Sequence, residues 1–308
     1  MSKAQNTKTS PQTVKADIYT RVTDTIVKSL EEGARPWAKR WNVEGGGGLF
    51  ALPLRANGTP YRGVNVLLLW AATFERGFNA CQWMTYRQAQ ELGAQVRKGE
   101  TGSLVVYADR FTKTETNDKG EDIEREIPFM KGYTVFNVEQ IDGLPEQYRP
   151  KAIPLPSPVE LHQASEEFFA RTGATVRHGG HRAFFVPSLD VIQLPTPESF
   201  QDAESYAATK AHEFIHWSGH KSRLARDLSG RFGDQAYAFE ELIAELGAAF
   251  LCATLRISPE VRDDHAGYLQ SWLKALKNDK RAIFTAATHA QAAADYLHGL
   301  QEVQQMAA

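Results

Sequence analysis

Ile18, Val22, Ile26 and Leu30 recur every four residues, with Tyr19 and Val27 beside them and polar residues between. Such a stripe is one face of a helix, and Gly33 can close it in a left-handed turn. Residues 1–13, which precede it, offer almost nothing to bury and read as a disordered tail. A run of four glycines at 45–48 is too flexible to hold a fixed shape without a partner. Thr85 can cap a short helix over 86–92 that Gly93 stops. Apolar runs at 103–107 and 133–138 predict strands, with Asn117-Asp118-Lys119-Gly120 as the turn of a charged hairpin between them.

From 143 to 158 the pattern breaks, because Pro145, Pro150, Pro154, Pro156 and Pro158 all lie there. A segment so rich in proline is extended and continues neither a helix nor a central strand. It is therefore the expected boundary between a first domain, 14–142, and a second, 159–308. The second opens with a helix over 159–171 and short strands at 175–177, 183–186 and 191–194. The remainder has the 3.6-residue period, in helices over 204–219, 235–256, 259–277 and 279–305. The expected fold class is α+β in two domains, the second mostly helical with a small sheet.

Composition narrows the classes. The chain of 308 residues is 42% hydrophobic and 23% charged, which excludes a wholly disordered, collagenous or coiled-coil protein. No window approaches 18 consecutive apolar residues, so no membrane partner is expected. Residues 1–15 have no apolar stretch of the kind a secretory signal needs. Cys81 and Cys252 stand far apart and single, as in a reduced, cytoplasmic chain. The net charge of -2 conceals an asymmetry. Residues 1–113 hold 16 Lys and Arg against 9 Asp and Glu, whereas 114–308 hold 19 against 28. An anionic partner is expected for the front half only.

The sharpest feature is His212-Glu213-Phe214-Ile215-His216. Two imidazoles four residues apart lie on one helical face and can reach one metal ion. Glu213 is about 100° further round and leans toward a water at the open coordination position, the role of a general base. A catalytic zinc also needs a third protein ligand. His220 would be about 12 Å along the same helix and rotated by about 80°, too far to share the ion. Position 222, where metzincins place a third histidine, is a serine. The carboxylates of Glu240-Glu241-Leu242-Ile243-Ala244-Glu245 sit in an otherwise apolar stretch, and their burial requires a cation or donors. Glu241 is assigned as third ligand, Glu240 as the reserve ligand. Glu245, one turn on, is assigned to receive the free ring N–H of a ligand histidine. The expected ion is Zn2+, with another divalent metal such as Mn2+ as the alternative. Tyr237 and His220 are nearby groups for an oxyanion, and strands 183–186 and 191–194 offer edges to an extended peptide.

These motifs carry a resemblance. His212 to His216, followed by Glu241 and an acid four residues on, is similar to gluzincin-type metallopeptidases. The fuller run His212-Glu213-Phe214-Ile215-His216-Trp217-Ser218-Gly219-His220, then Arg223-Leu224 and residues 237–250, resembles the zincin-like domain of plasmid antirestriction proteins of the ArdC type. In the front half, residues 60–65, 83–86, 98–102 and 136–140 resemble that family's first domain, found also in plasmid primases. The resemblance implies a single-stranded-DNA-binding domain followed by a metallopeptidase-like domain. It also implies carriage on a conjugative plasmid and protection of incoming DNA from host restriction. Glu245 departs from thermolysin-type patterns, where an aspartate is common.

The front half has a composition suited to single strands, which are gripped by basic grooves with aromatic platforms. Arg35, Trp37, Lys39, Arg40 and Trp41 form the densest mixture, joined by Tyr61, Arg62, Asn65, Trp83, Tyr86, Arg87 and Lys98 as candidate DNA contacts. Residues 98–102 could offer backbone N–H groups to a phosphate. Expected partners are single-stranded DNA and a protein substrate such as a host restriction enzyme. Two rival readings stand beside this one. One is a non-catalytic DNA-binding protein whose metal is structural and which protects by coating DNA or blocking the enzyme. The other is a processing peptidase with an incidental basic domain.

Overall fold

The computed structural model describes residues 17–37, 51–116, 122–148, 157–230, 234–257 and 266–307. The predicted tail, the glycine run, the hairpin turn and residues 149–156 of the proline-rich segment lie outside them.

Helix α1 (Ile18–Glu31) begins where the Asp17 carboxylate accepts the Thr20 N–H at 2.7 Å, and it buries Val22, Ile26, Val27 and Leu30 as the spacing predicts. Helix α2 (Val64–Arg76) is not predicted by periodicity. Val66 to Ala71 are all buried, so the segment has no polar face against which a period could show. The front sheet has the order β1 (Leu54–Arg55), β2 (Gln82–Met84), β5 (Asp122–Asn137), β4 (Ser103–Thr116). β1 and β2 run parallel, and the other neighbours are antiparallel. β4 and β5 pair from Ser103↔Val135 to Thr116↔Asp122, far beyond the two short predicted strands. Helix α3 (Tyr86–Glu91) starts in a reciprocal cap between Thr85 and Gln88, and Gly93 follows at φ +73°. β3 (Gln95–Val96) pairs with β6 (Ile141–Asp142) over a small second cluster of Met84, Ala89, Val96, Val138 and Ile141.

In the back half, α4 (Pro158–Ala170) starts at Ser157 with Pro158 in its first turn. β7 (Thr175–His178), β8 (Phe184–Val186) and β9 (Val191–Leu194) form a sheet in the order β7-β9-β8. This corrects one expectation. β9 lies in the middle, paired on both sides, so β8 and not residues 191–194 can present an edge here. Helices α5 (Ala203–Ser218), α6 (Gln235–Leu255), α7 (Ala266–Asn278) and α8 (Ala282–Ala307) complete the chain.

The main core runs through both halves. Val22, Ile26, Leu30 and Trp37 belong to the same buried cluster as Trp272, Ile283, Ala286 and Ala287. The Trp37 and Trp272 rings are 6.4 Å apart, and Trp70 meets Phe250 at 5.8 Å. Polar bonds reinforce the seam: Thr23 Oγ1 donates to the Lys280 carbonyl at 2.7 Å, and the Gly63 N–H to Gln291 Oε1 at 3.0 Å. Among the described residues no helix is long and apolar enough to cross a membrane.

Candidate metal centre

Helix α5 is capped by Asp202, whose carboxylate accepts the Ser205 N–H at 2.7 Å, and it delivers His212, Glu213 and His216 near its C-terminal end. Helix α6 packs across it. A Cβ at Gly247 would lie 2.9 Å from two carbons of Ile215, so the glycine allows this close approach. The result brings Glu241 to the histidine pair.

His212 Nε2 and His216 Nε2 are 3.1 Å apart. Glu241 Oε2 is 3.4 Å from the first, and Oε1 is 3.5 Å from the second. Ligands at ~2.1 Å around a tetrahedral ion are themselves ~3.4 Å apart, so the three side chains already match the face of such a coordination shell. Among the described residues this is the group of histidine, cysteine and carboxylate side chains that could close on one ion.

The surroundings are unusually charged for an interior. Glu213, Glu240, Glu241 and Glu245 are all buried, as is His212. Four carboxylates so placed need positive charge or donors to remain there. Burial raises the Glu241 carboxyl, but bonds and charges from His212 and His216 outweigh it and hold it well below the usual carboxylate range. Burial likewise lowers His216, yet its contacts with Glu240 and Glu241 push it up to about 10. These opposite displacements reflect the pairing of the two rings with the carboxylates; it is the closeness of their ligand atoms that makes the group a candidate to hold a cation.

Glu240, the reserve ligand of the sequence reading, faces away from that point. Its Oε1 lies 3.2 Å from His216 Nδ1, the nitrogen on the far side of the ring. Glu240 therefore stands where a carboxylate fixes a ligand histidine's tautomer, the duty assigned from sequence to Glu245. Glu245 itself is buried one turn beyond Glu241 on the same helix. Arg226, missed in the sequence reading, binds Glu240 through both oxygens, Nε to Oε2 at 3.1 Å and Nη2 to Oε1 at 2.8 Å. A buried glutamate next to a ligand was visible in the sequence; its guanidinium partner, 14 residues away in a loop, carried no spacing signal. Tyr237 hydrogen-bonds Glu241 and Tyr268, and its phenol is raised by burial and by the Glu241 charge. His220 is bound to Ser222 Oγ at 2.7 Å, with its ring against Phe185.

Residues 163–289 match the family described as zincin-like metallopeptidase, and residues 16–136 match the N-terminal domain of anti-restriction factor ArdC. The chain is 49% identical to the ArdC antirestriction protein of plasmid R388 in a metal-free crystal structure, with TM-score 0.76 and coverage of 92% of this chain and 98% of that one. The Mn(II)-bound crystal structure of the same protein matches at 48% identity and TM-score 0.74, with the same coverage. The chain belongs to the ArdC antirestriction family. It is also 46% identical over 297 residues to the uncharacterised protein y4eC of Sinorhizobium fredii, covering 95% of this chain and 94% of that one. The DNA primase TraC of Escherichia coli is 39% identical over 307 residues, which is 94% of this chain and 28% of the primase.

The aromatic residues chosen as DNA contacts fare differently from the metal motif. Trp37 is 1% exposed and Trp83 0%, so neither can offer a ring to a base; both are core. Tyr61, 8% exposed, is packed beneath Arg55. The Asn65 amide is consumed by the main chain of Val106, donating at 2.8 Å and accepting at 2.7 Å. Arg62 pairs with Asp295, and half-buried Arg35 lies at the core's edge. Tyr86, Arg87 and Lys98 stay exposed, with Arg87 bound to Glu91 at 2.8 Å. Lys39, Arg40 and Trp41 lie outside the described residues. The turn at 98–102 carries its own anion: Glu100 accepts from Gln140 at 2.8 Å and from Arg97 at 2.7 Å.

Proposed function

We propose that this chain is an antirestriction protein of the cytoplasm that binds single-stranded DNA through its front half and carries a metal-dependent peptidase site in its back half. The observation that carries the peptidase reading is the triangle of His212, His216 and Glu241 donors, each 3.1 to 3.5 Å from the next, with buried Glu213 one residue from the first. A divalent ion held there, zinc or manganese, would supply Lewis-acid polarisation of a carbonyl and acidify a water toward neutrality. Glu213 takes the proton from the attacking water and delivers it to the leaving amine. Glu241 and the two Nε2 atoms would hold such an ion, and Glu240 would keep the His216 proton on Nδ1. Edge strand β8 supplies backbone groups to an extended peptide. The manganese found with the R388 relative and the match to a zincin-like family support this assignment. Support for the DNA reading is the family itself, together with the basic balance of residues 1–113.

The test is a paired one. Glu213→Gln should keep its metal and its oligonucleotide affinity, which falls steeply with salt, while any hydrolysis drops about 10²–10⁴-fold. Metal loss in that variant, by elemental analysis, would remove Glu213 from the role of base. Restriction protection in cells, compared between the wild type and this variant, then separates the two readings of the family's activity. Equal protection favours DNA coating or enzyme blocking over proteolysis.

A further inference from the structure

The loop between α5 and α6 turns back on itself directly after the histidine pair. Leu224 N–H donates to the Ser218 carbonyl at 3.0 Å and Arg226 N–H to the Gly219 carbonyl at 2.9 Å, with Ala225 held at φ +49°. This return sets two arginines against the C-terminal end of α5, where unpaired carbonyls attract cations. Their tasks differ. Arg223 caps the Trp217 carbonyl at 2.6 Å, lies over the Trp217 ring at 3.9 Å and pairs with Asp190 from the β8–β9 turn, so it ties the helix to the sheet.

Arg226 is turned inward, its side chain 4% exposed. Nη2 caps the Ile215 carbonyl at 2.6 Å, Nη1 reaches Ser218 Oγ at 3.0 Å, and the remaining donors take both oxygens of Glu240. The guanidinium fits because position 219 has no side chain: a Cβ there would stand 2.8 Å from Nη2 and 2.9 Å from Cζ. With donors on both of its oxygens, Glu240 is fixed in place with Oε1 against His216 Nδ1 at 3.2 Å. A guanidinium is always charged and only donates, so it keeps Glu240 an acceptor. An accepting Glu240 requires the proton of His216 on Nδ1, which leaves Nε2 to face His212 and Glu241.

We propose that Arg226 is a positioning residue of the metal centre: acting through Glu240, it fixes the tautomer and orientation of His216 and thereby sets how tightly the ion is held. The inference rests on the metal-site reading above and adds a residue outside the motif. A lysine, with a single compact charge, could not reproduce the forked contact and the carbonyl cap together.

The experiment measures Mn2+ and Zn2+ dissociation constants on the full chain by chelator competition, with thermal melting of the metal-free protein alongside. Arg226→Met and Glu240→Gln are each expected to weaken both metals about 10–100-fold. The double variant should be no weaker than the worse single, because both act through one ring. Arg226→Met with unchanged metal constants and a lowered metal-free melting point would make the arginine merely structural and overturn the proposal. Losses that multiply in the double variant would overturn it too. If Arg226→Met does not fold, Gly219→Ala takes its place; metal constants equal to wild type in that variant count against the proposal. Wild type that binds neither metal, or His212→Ala that binds both as well as wild type, would instead remove the underlying site reading, a distinguishable result.

Discussion

The two halves of the molecule use the same kinds of side chain in opposite ways. Between α5 and α6, charged groups are buried together and the apolar residues around them are the frame. In the front half, most of the aromatic residues that looked like ligand platforms are the frame, and the charges stay on the surface. Trp83 and His212 are both buried, yet only the histidine is surrounded by groups that would be destabilising without a purpose. Burial identifies a site when the chemistry buried is expensive in isolation, and identifies a core when it is not.

The contrast can be pressed hardest at Trp83. Trp83→Ala should lower stability by about 3–5 kcal/mol in denaturant titration, because a fully enclosed ring leaves a cavity, while the folded fraction still binds oligonucleotide. Tyr107→Ala, at a position 48% exposed, should stay within about 0.5 kcal/mol of wild type. A stable Trp83→Ala protein that no longer binds DNA would reverse the assignment. At the other region, Gly247→Val should cost about 1–3 kcal/mol by wedging α6 away from Ile215. Metal affinity should fall with it, since Glu241 rides on the displaced helix; an unchanged metal constant would mean that the site does not depend on that packing. The smallest effect is expected at Asp190, whose carboxyl is held below the usual range by its bond from Arg223. Its folded pKa is below its unfolded one, so its contribution is complete above about pH 4 and is lost as pH falls through the lowered value. Asp190→Asn should therefore lower the neutral plateau slightly, leave stability at the lowest pH unchanged and so flatten the acid limb of the profile.

Apolar stripes and caps made α1, α3, α4 and α5 readable, and its length of 21 residues did the same for α6. α2 escaped because it is apolar all round, and β1, β2, β3 and β6 because two or three residues carry no pattern. The metal centre was legible for a related reason. His212 and His216 are fixed by one turn of one helix, and Glu241 by the buried carboxylates of the next. Glu241 could be ranked ahead of its neighbour Glu240, but that Glu240 rather than Glu245 meets the far side of the His216 ring depends on which way α6 is rotated. Arg226 could not be found at all, since its partner is reached only through a folded loop. Trp37, Tyr61 and Trp83 were misjudged because an aromatic ring suits a protein interior and a nucleobase equally well, and spacing does not separate the two.

The contact of Trp37 with Trp272, rings tilted and 6.4 Å apart, has a consequence for dividing the chain. Trp272 also donates its ring N–H to the Ala238 carbonyl at 2.8 Å, one turn ahead of Glu241. A gene fragment ending near the proline-rich stretch would strand an indole on each side of the cut. Each half expressed alone would therefore expose part of the shared core, and the two are expected to be more stable joined than apart.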